Sequence, residues 1–254
     1  MTLTDNGFEL SAPVNLRDMG GIPVAGGTLR EGFVIRADDL ALADETTASD
    51  LVEGGLAAVI DLRSAGELAN TGRGPLGRMR VTYHHLPFMD SIGQSSQVPG
   101  SDVLDQSTFA SMYIRMYEAA AARIVTSLAV IATAPGATAF HCAAGQDRTG
   151  VMAASLLLAL GADDDAIVED YTRTGANSVA IMARLEPVMA SMMAALGLEA
   201  DAAAKASMGN EFSPAPMKGL LHHLNSSYGD PLEPLRTAGL NDALVATLRE
   251  RAIG

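Results

Sequence analysis

The residues with most bearing on chemistry lie at positions 141–150, where the sequence reads HCAAGQDRTG. Five residues separate Cys142 from Arg148. That spacing lets the chain curl so that successive backbone N–H groups point inward, forming an anion-binding nest at the start of a following helix. A phosphate dianion fits such a nest. Ala143, Ala144, Gly145 and Gln146 would line it, Thr149 would donate to the cysteine sulfur, and His141 would orient the loop from behind. Arg148 could grip two phosphate oxygens with its planar fork, which a lysine could not do in the same geometry.

Inward dipoles and a neighbouring guanidinium favour a thiolate, which makes Cys142 the expected nucleophile. Attack on phosphorus would give a phosphocysteine that water then cleaves, and the nest would stabilise charge on the equatorial oxygens. The leaving oxygen needs a proton. Asp147, beside Arg148, is the preferred donor, and Asp90 in LPFMD is the alternative. Phe88 and Asp90 are also candidate substrate-binding residues.

Such a loop has to be held between a strand and a helix. TAFHC at 138–142 reads as the strand, and VMAASLLLALG at 151–161, apolar almost all round, reads as a buried helix stopped by Gly161. GFVIRAD, AAVIDLRS and VTYHHLP supply three more strands, and PVNLRDMGG at 13–21 is an extended segment ending in a glycine turn. Strands alternating with Ala-, Leu- and Met-rich helices predict an α/β fold with a mostly parallel central sheet. The polar stretch from Pro87 to Thr108 reads as a long surface loop. Helical patterns follow at 109–133 and 176–198, a further helix begins at the aspartates 163–165, and two helical segments lie between Ser213 and Gly254.

The length of 254 residues suits a single domain over 1–254. A net charge of −13 disfavours nucleic acid and anionic membrane surfaces as partners, and no basic run offsets it. MTLTDNGFEL has neither a basic leader nor an apolar stretch, so the expected location is cytoplasmic, or exported without a classical signal. One cysteine allows no internal disulfide. The pairs His84–His85 and His222–His223 lack the ligand spacing of a metal site, so neither metal nor cofactor is expected. Arg17, Asp18, Asp61 and Arg63 read as structural ion pairs, with support of the loop as the functional alternative.

The loop, together with NLRDMGG, VIRADDL, VIDLRS, LPFMD, EDYTRTGAN and SSYGDPLEPL in that order, resembles the bacterial protein tyrosine phosphatases of the cysteine phosphatase superfamily. The resemblance implies a tyrosine-phosphatase-like fold, metal-free hydrolysis of phosphomonoesters on phosphotyrosine proteins with inorganic phosphate as product, and a helical lid over 176–213. Met182, Met189, Met192 and Met193 would be core packing or, if the resemblance holds, the inner face of that lid. Gln146 departs from the family, which commonly has lysine there, and this weakens the case for highly anionic substrates. The alternatives are dual specificity, a phosphoinositide phosphatase, a rhodanese-like sulfurtransferase, or a phosphate-binding module without catalysis.

Overall fold

The computed structural model describes residues 2–4, 6–90, 106–195 and 212–253. Five strands form the main sheet: β1 (Arg17–Asp18), β4 (Val34–Ala37), β5 (Leu56–Asp61), β6 (Thr82–His85) and β7 (Ala137–His141). Their order is β1-β4-β7-β5-β6, with β2 (Pro23–Val24) and β3 (Gly27–Thr28) making a small separate hairpin. All neighbours run parallel except β1, which is antiparallel to β4. The expected strands are therefore present, and the 13–21 segment contributes the antiparallel edge.

Central strands covered on both faces read as continuous apolar runs, and period-two alternation sends neighbouring side chains to opposite sides. Ile60 and Phe140 enter the larger core, while Val59 and Ala139 enter a smaller one. The larger core is built with α3 (Gln106–Ala119), α4 (Ala121–Thr133), α5 (Asp147–Leu160) and the C-terminal helices. The smaller core packs under α1 (Glu45–Glu53). A layer of helices thus covers each face of the sheet.

Register decides where the loop emerges. Ala37 on β4 and Asp61 on β5 both pair opposite His141, the last residue of β7. Asp38–Asp39, Leu62–Arg63 and Cys142 therefore leave the sheet at one edge, the carboxyl ends of parallel strands, where open α/β sheets bind ligands.

α5 starts at Asp147, so the catalytic-type loop ends in its first turn, and its buried face runs from Thr149 to Leu160. Gly161 closes it at φ +78°, in the left-handed region. Asp163 caps α6 (Asp164–Thr172), accepting from the Ala166 N–H at 2.8 Å.

Two helical expectations need correcting. The 109–133 pattern is two helices bent by 69° at Ala120, a break that no glycine or proline marks. The C-terminal region holds three helices, Ala215–Tyr228, Glu233–Thr237 and Asp242–Ala252, the middle one being too short to show a period. The long 176–198 pattern is a 3₁₀ turn at Gly175–Asn177 followed by α7 (Ser178–Ala195). Most of the predicted loop and the second half of the predicted lid, 91–105 and 196–211, lie outside the described residues.

Candidate active site

Cys142 leaves β7 almost fully enclosed, at 1% exposure. The next three carbonyls are all turned away from the loop's centre. Ala143 O accepts from the Asp39 N–H at 3.0 Å. The Asn15 Nδ2 donates to Ala144 O at 3.2 Å and to Gly145 O at 3.1 Å. Arg36 Nη2 adds a second bond to Gly145 O at 3.0 Å.

Among the described residues no partner is found for the N–H groups of Ala144, Gly145 and Gln146. With the carbonyls held outward, these donors face the concave side. Gly145 is buried and Ala144 and Gln146 are half-buried, and three convergent backbone donors without partners take an anion as their natural complement. Gly145 is required twice over. Its φ is +68°, and a Cβ there would lie 2.6 Å from Ala37 O.

Arg148 is anchored from behind by Glu67 on α2 (Ala65–Thr71), with Nη1 to Oε2 at 2.5 Å and Nη2 to Oε1 at 2.9 Å. Glu67 is also the third-position residue of a capping box, accepting from the Ser64 N–H at 2.8 Å. Burial works against both charges. Arg148 nevertheless holds Glu67 below its ordinary pKa, while nearby Cys142 and Glu67 hold the guanidinium protonated above its usual range. The carboxylate takes one hydrogen from each terminal nitrogen, leaving the Nε edge of the fork for an oxyanion.

Asp147 is half-buried, and desolvation raises its pKa against the opposing influence of Tyr113 and Arg148. The Tyr113 hydroxyl donates to its Oδ1 at 2.6 Å. Asp90 is placed differently. Its carboxylate is 73% exposed, and its ion-pair partner is Arg123 on α4 at 3.7 Å, a residue outside the loop. Phe88 is 3% exposed and packs in the same core as Cys142. Thr149 Oγ1 is buried and has no hydrogen-bond partner, so the bond to sulfur expected from the sequence is not formed. The side chain is wholly enclosed in the first turn of α5.

His141 stands behind the loop as anticipated, at 1% exposure, with Nδ1 accepting from the Leu40 N–H at 3.3 Å. Burial lowers its pKa, which keeps the ring neutral and suits a structural part. Arg63 is bound by Asp61 at 2.6 Å and Asp39 at 2.9 Å. Arg17 and the fully buried Arg36 converge on Asp170 of α6, Arg17 at 3.2 Å. Burial and then Arg36 lower Arg17 to about 10, while the two arginines hold Asp170 below its normal range despite burial.

Of the four residues read as structural, Arg17 reaches the loop, through Asn15, which accepts from it at 2.7 Å, while Arg36, not singled out in the sequence, links Asp170 to Gly145 O. Asp18 instead shapes a turn, accepting from the Gly20 and Gly32 N–H groups at 2.6 and 2.7 Å. Among the described residues no group of three or more His, Cys, Asp or Glu side chains is arranged to hold a metal ion.

Sequence reasoning did not single out Asn15, Arg36, Glu67, Tyr113, Asp170 or Tyr171. Asn15, Arg36, Asp170 and Tyr171 lie in segments that carry the family resemblance. The Ser64-x-x-Glu67 spacing signals a helix start but not its partner Arg148. For Tyr113 there was no signal.

The sequence pattern of the tyrosine phosphatase family matches residues 8–254. The chain is 29% identical to the triple specificity protein phosphatase PtpB of Mycobacterium tuberculosis, across 97% of this chain and 99% of that protein. It is 30% identical to a protein of Cupriavidus necator provisionally described as a tyrosine-protein phosphatase, across 72% of this chain and 67% of the relative. A strand-to-helix anion cradle with an enclosed cysteine and a buttressed arginine is the chemistry that such a family requires. The chain belongs to the tyrosine phosphatase family and is a cysteine-dependent phosphoric monoester hydrolase.

Proposed function

We propose that Cys142 is the nucleophile, Arg148 the phosphate clamp and Asp147 the general acid, with the loop from Ala143 to Gln146 as the cradle. The outward pinning of three successive carbonyls carries this reading, because it fixes the direction of the unpaired N–H groups. The sulfur of Cys142 attacks phosphorus in line, forming the S–P bond as the P–O bond to the leaving group breaks. The carboxyl proton of Asp147 passes to the departing oxygen. Water then attacks phosphorus and cleaves S–P, returning a proton to the Asp147 carboxylate and the thiolate to Cys142. Inorganic phosphate departs. The unpaired Thr149 hydroxyl is a donor in reserve for the sulfur or a phosphate oxygen.

Phosphotyrosine in proteins is the proposed first substrate class. The triple specificity for which the mycobacterial relative is named supports a range extending to other phosphomonoesters. The side chain of Gln146 brings no positive charge to the cradle, which argues against polyanionic inositol lipids as the preferred class. Turnover of p-nitrophenyl phosphate by the wild type beside Cys142→Ser is the first test. Comparable activity in both proteins would refute the nucleophile, and thiosulfate turnover would support a sulfurtransferase. A panel of phosphotyrosine, phosphoserine and phosphoinositide substrates then ranks the classes.

We also propose that α7 is the fixed base of a cover over the site. Arg184 binds Asp38 at 2.5 Å, Asp39 O at 3.0 Å and Ser11 Oγ at 3.0 Å. Ile181, Leu185 and Val188 form its buried face, while Met182, Met189 and Met192 are half-buried; the Met193 side chain lies outside the described residues. Limited proteolysis with and without vanadate tests this. Identical cleavage C-terminal to Arg184 in both conditions would count against a moving cover.

A further inference from the structure

The hydroxyls of Tyr113 and Tyr171 form a chain that ends on the proposed acid. Tyr113 donates to Asp147 Oδ1 at 2.6 Å, and the two hydroxyls are 2.8 Å apart. Both rings are buried, at 0% and 1% exposure, and meet edge to face at 6.0 Å. A phenol has one proton. Since that of Tyr113 goes to Asp147, Tyr171 must donate to Tyr113.

The chain therefore has one direction: Tyr171 to Tyr113 to Asp147. Oδ1 is committed as an acceptor, which places the transferable proton of the acid form on Oδ2.

We infer that Tyr113 is a positioning residue for proton transfer: it fixes which oxygen of Asp147 carries the proton and stabilises the carboxylate left when the leaving group takes it. This rests on Asp147 being the acid. The groups facing Asp147 are Tyr113 on α3, Tyr171 on α6, and on its own helix Arg148, itself backed by Glu67 of α2 and near Cys142. Of these, Tyr113 alone hydrogen-bonds the Asp147 side chain from another element among the described residues.

The test is the pH dependence of kcat/KM for phenyl phosphate, a poor leaving group, in the full chain as wild type, Tyr113→Phe, Asp147→Asn and the double variant. Removing a hydrogen bond that favours the carboxylate moves the alkaline limb up by about one unit and slows turnover roughly tenfold. The loss should be smaller for p-nitrophenyl phosphate. In the Asp147→Asn background, Tyr113→Phe should add little, whereas a purely structural tyrosine would cost the same in both backgrounds.

Tyr171→Phe removes only the outer link and should shift the limb in the same direction, which keeps the test open if Tyr113→Phe folds poorly. An unmoved limb in the tyrosine variants, with Asp147→Asn inactive on phenyl phosphate, overturns the role of Tyr113 and leaves the acid standing. Full phenyl phosphate turnover by Asp147→Asn removes the acid assignment, and the inference with it.

Discussion

Replacing Asn15 with Asp changes one amide to a carboxylate of nearly the same shape at a site that is 1% exposed. Its bond to Arg17, in which Asn15 Oδ1 is the acceptor, survives. What is lost is the Nδ2 donor to Ala144 O and Gly145 O, and carboxylate oxygen then faces carbonyl oxygen at the 3.1–3.2 Å of the former bonds. Gly145 O keeps Arg36, but Ala144 O has no other partner among the described residues. One or two lost bonds and an orphaned, part-buried carbonyl cost about 2–4 kcal/mol.

For a chain of this size that lowers the midpoint of thermal unfolding by roughly 5–12 °C. If Ala144 then rotates to find water, at least one N–H leaves the cradle, and losing one such donor lowers kcat by roughly 10²-fold. The assay is p-nitrophenyl phosphate turnover well below the unfolding midpoint, with phosphate inhibition measured in parallel. Unchanged kcat/KM and phosphate affinity in a destabilised Asn15→Asp protein would refute the claim that pinned carbonyls aim the N–H groups.

Gly145→Ala should unfold the loop or the protein, costing about 3 kcal/mol or more, because it combines a left-handed φ of +68° with a Cβ 2.6 Å from Ala37 O; urea midpoints check this. Glu67→Gln leaves the buried Arg148 without its carboxylate but keeps an acceptor for the Ser64 N–H, so a loss of about 2–4 kcal/mol and a fall in kcat are expected from denaturation and turnover.

Asp170 and Glu67 have folded pKa values below the ordinary carboxylate range, their arginine partners overcoming burial. Their stabilisation is full above the unfolded value of about 4 and is lost as pH falls through the folded values. Asp147 has the opposite sign: its raised pKa favours the folded state below about pH 4, an advantage lost as pH rises through the folded value. Urea midpoints should therefore fall steeply below about pH 4, and Asp170→Asn should flatten that slope; an unchanged slope would contradict the ion-pair assignment.

The strands and the loop were legible in the sequence because their physics is local. Two-faced burial makes β7 and β5 continuous apolar runs, and Cys142, Gly145 and Arg148 lie within seven residues of one another. The same locality carried Asp147, whose place in the loop guaranteed proximity. Less legible were contacts made across the sheet edge. Asn15 reaches Gly145 over 130 positions, and Arg148 meets Glu67 over 81, distances at which no periodicity operates. Tyr113 lies in a helix whose pattern reads as ordinary core, and only the packing of α3 on α5 and α6 turns its hydroxyl toward Asp147. Arg17 was recognisable as a charge in need of a partner, but its convergence with Arg36 on Asp170 depends on β1 pairing antiparallel to β4.

The most direct test of the account is rapid chemical quench of Asp147→Asn turning over p-nitrophenyl phosphate, followed by peptide mass spectrometry. With proton return to Asp147 removed, the second step slows and the phosphoryl group should accumulate on the peptide containing Cys142. Its absence there, or its presence on another side chain under conditions where product forms, would contradict Cys142 as the nucleophile.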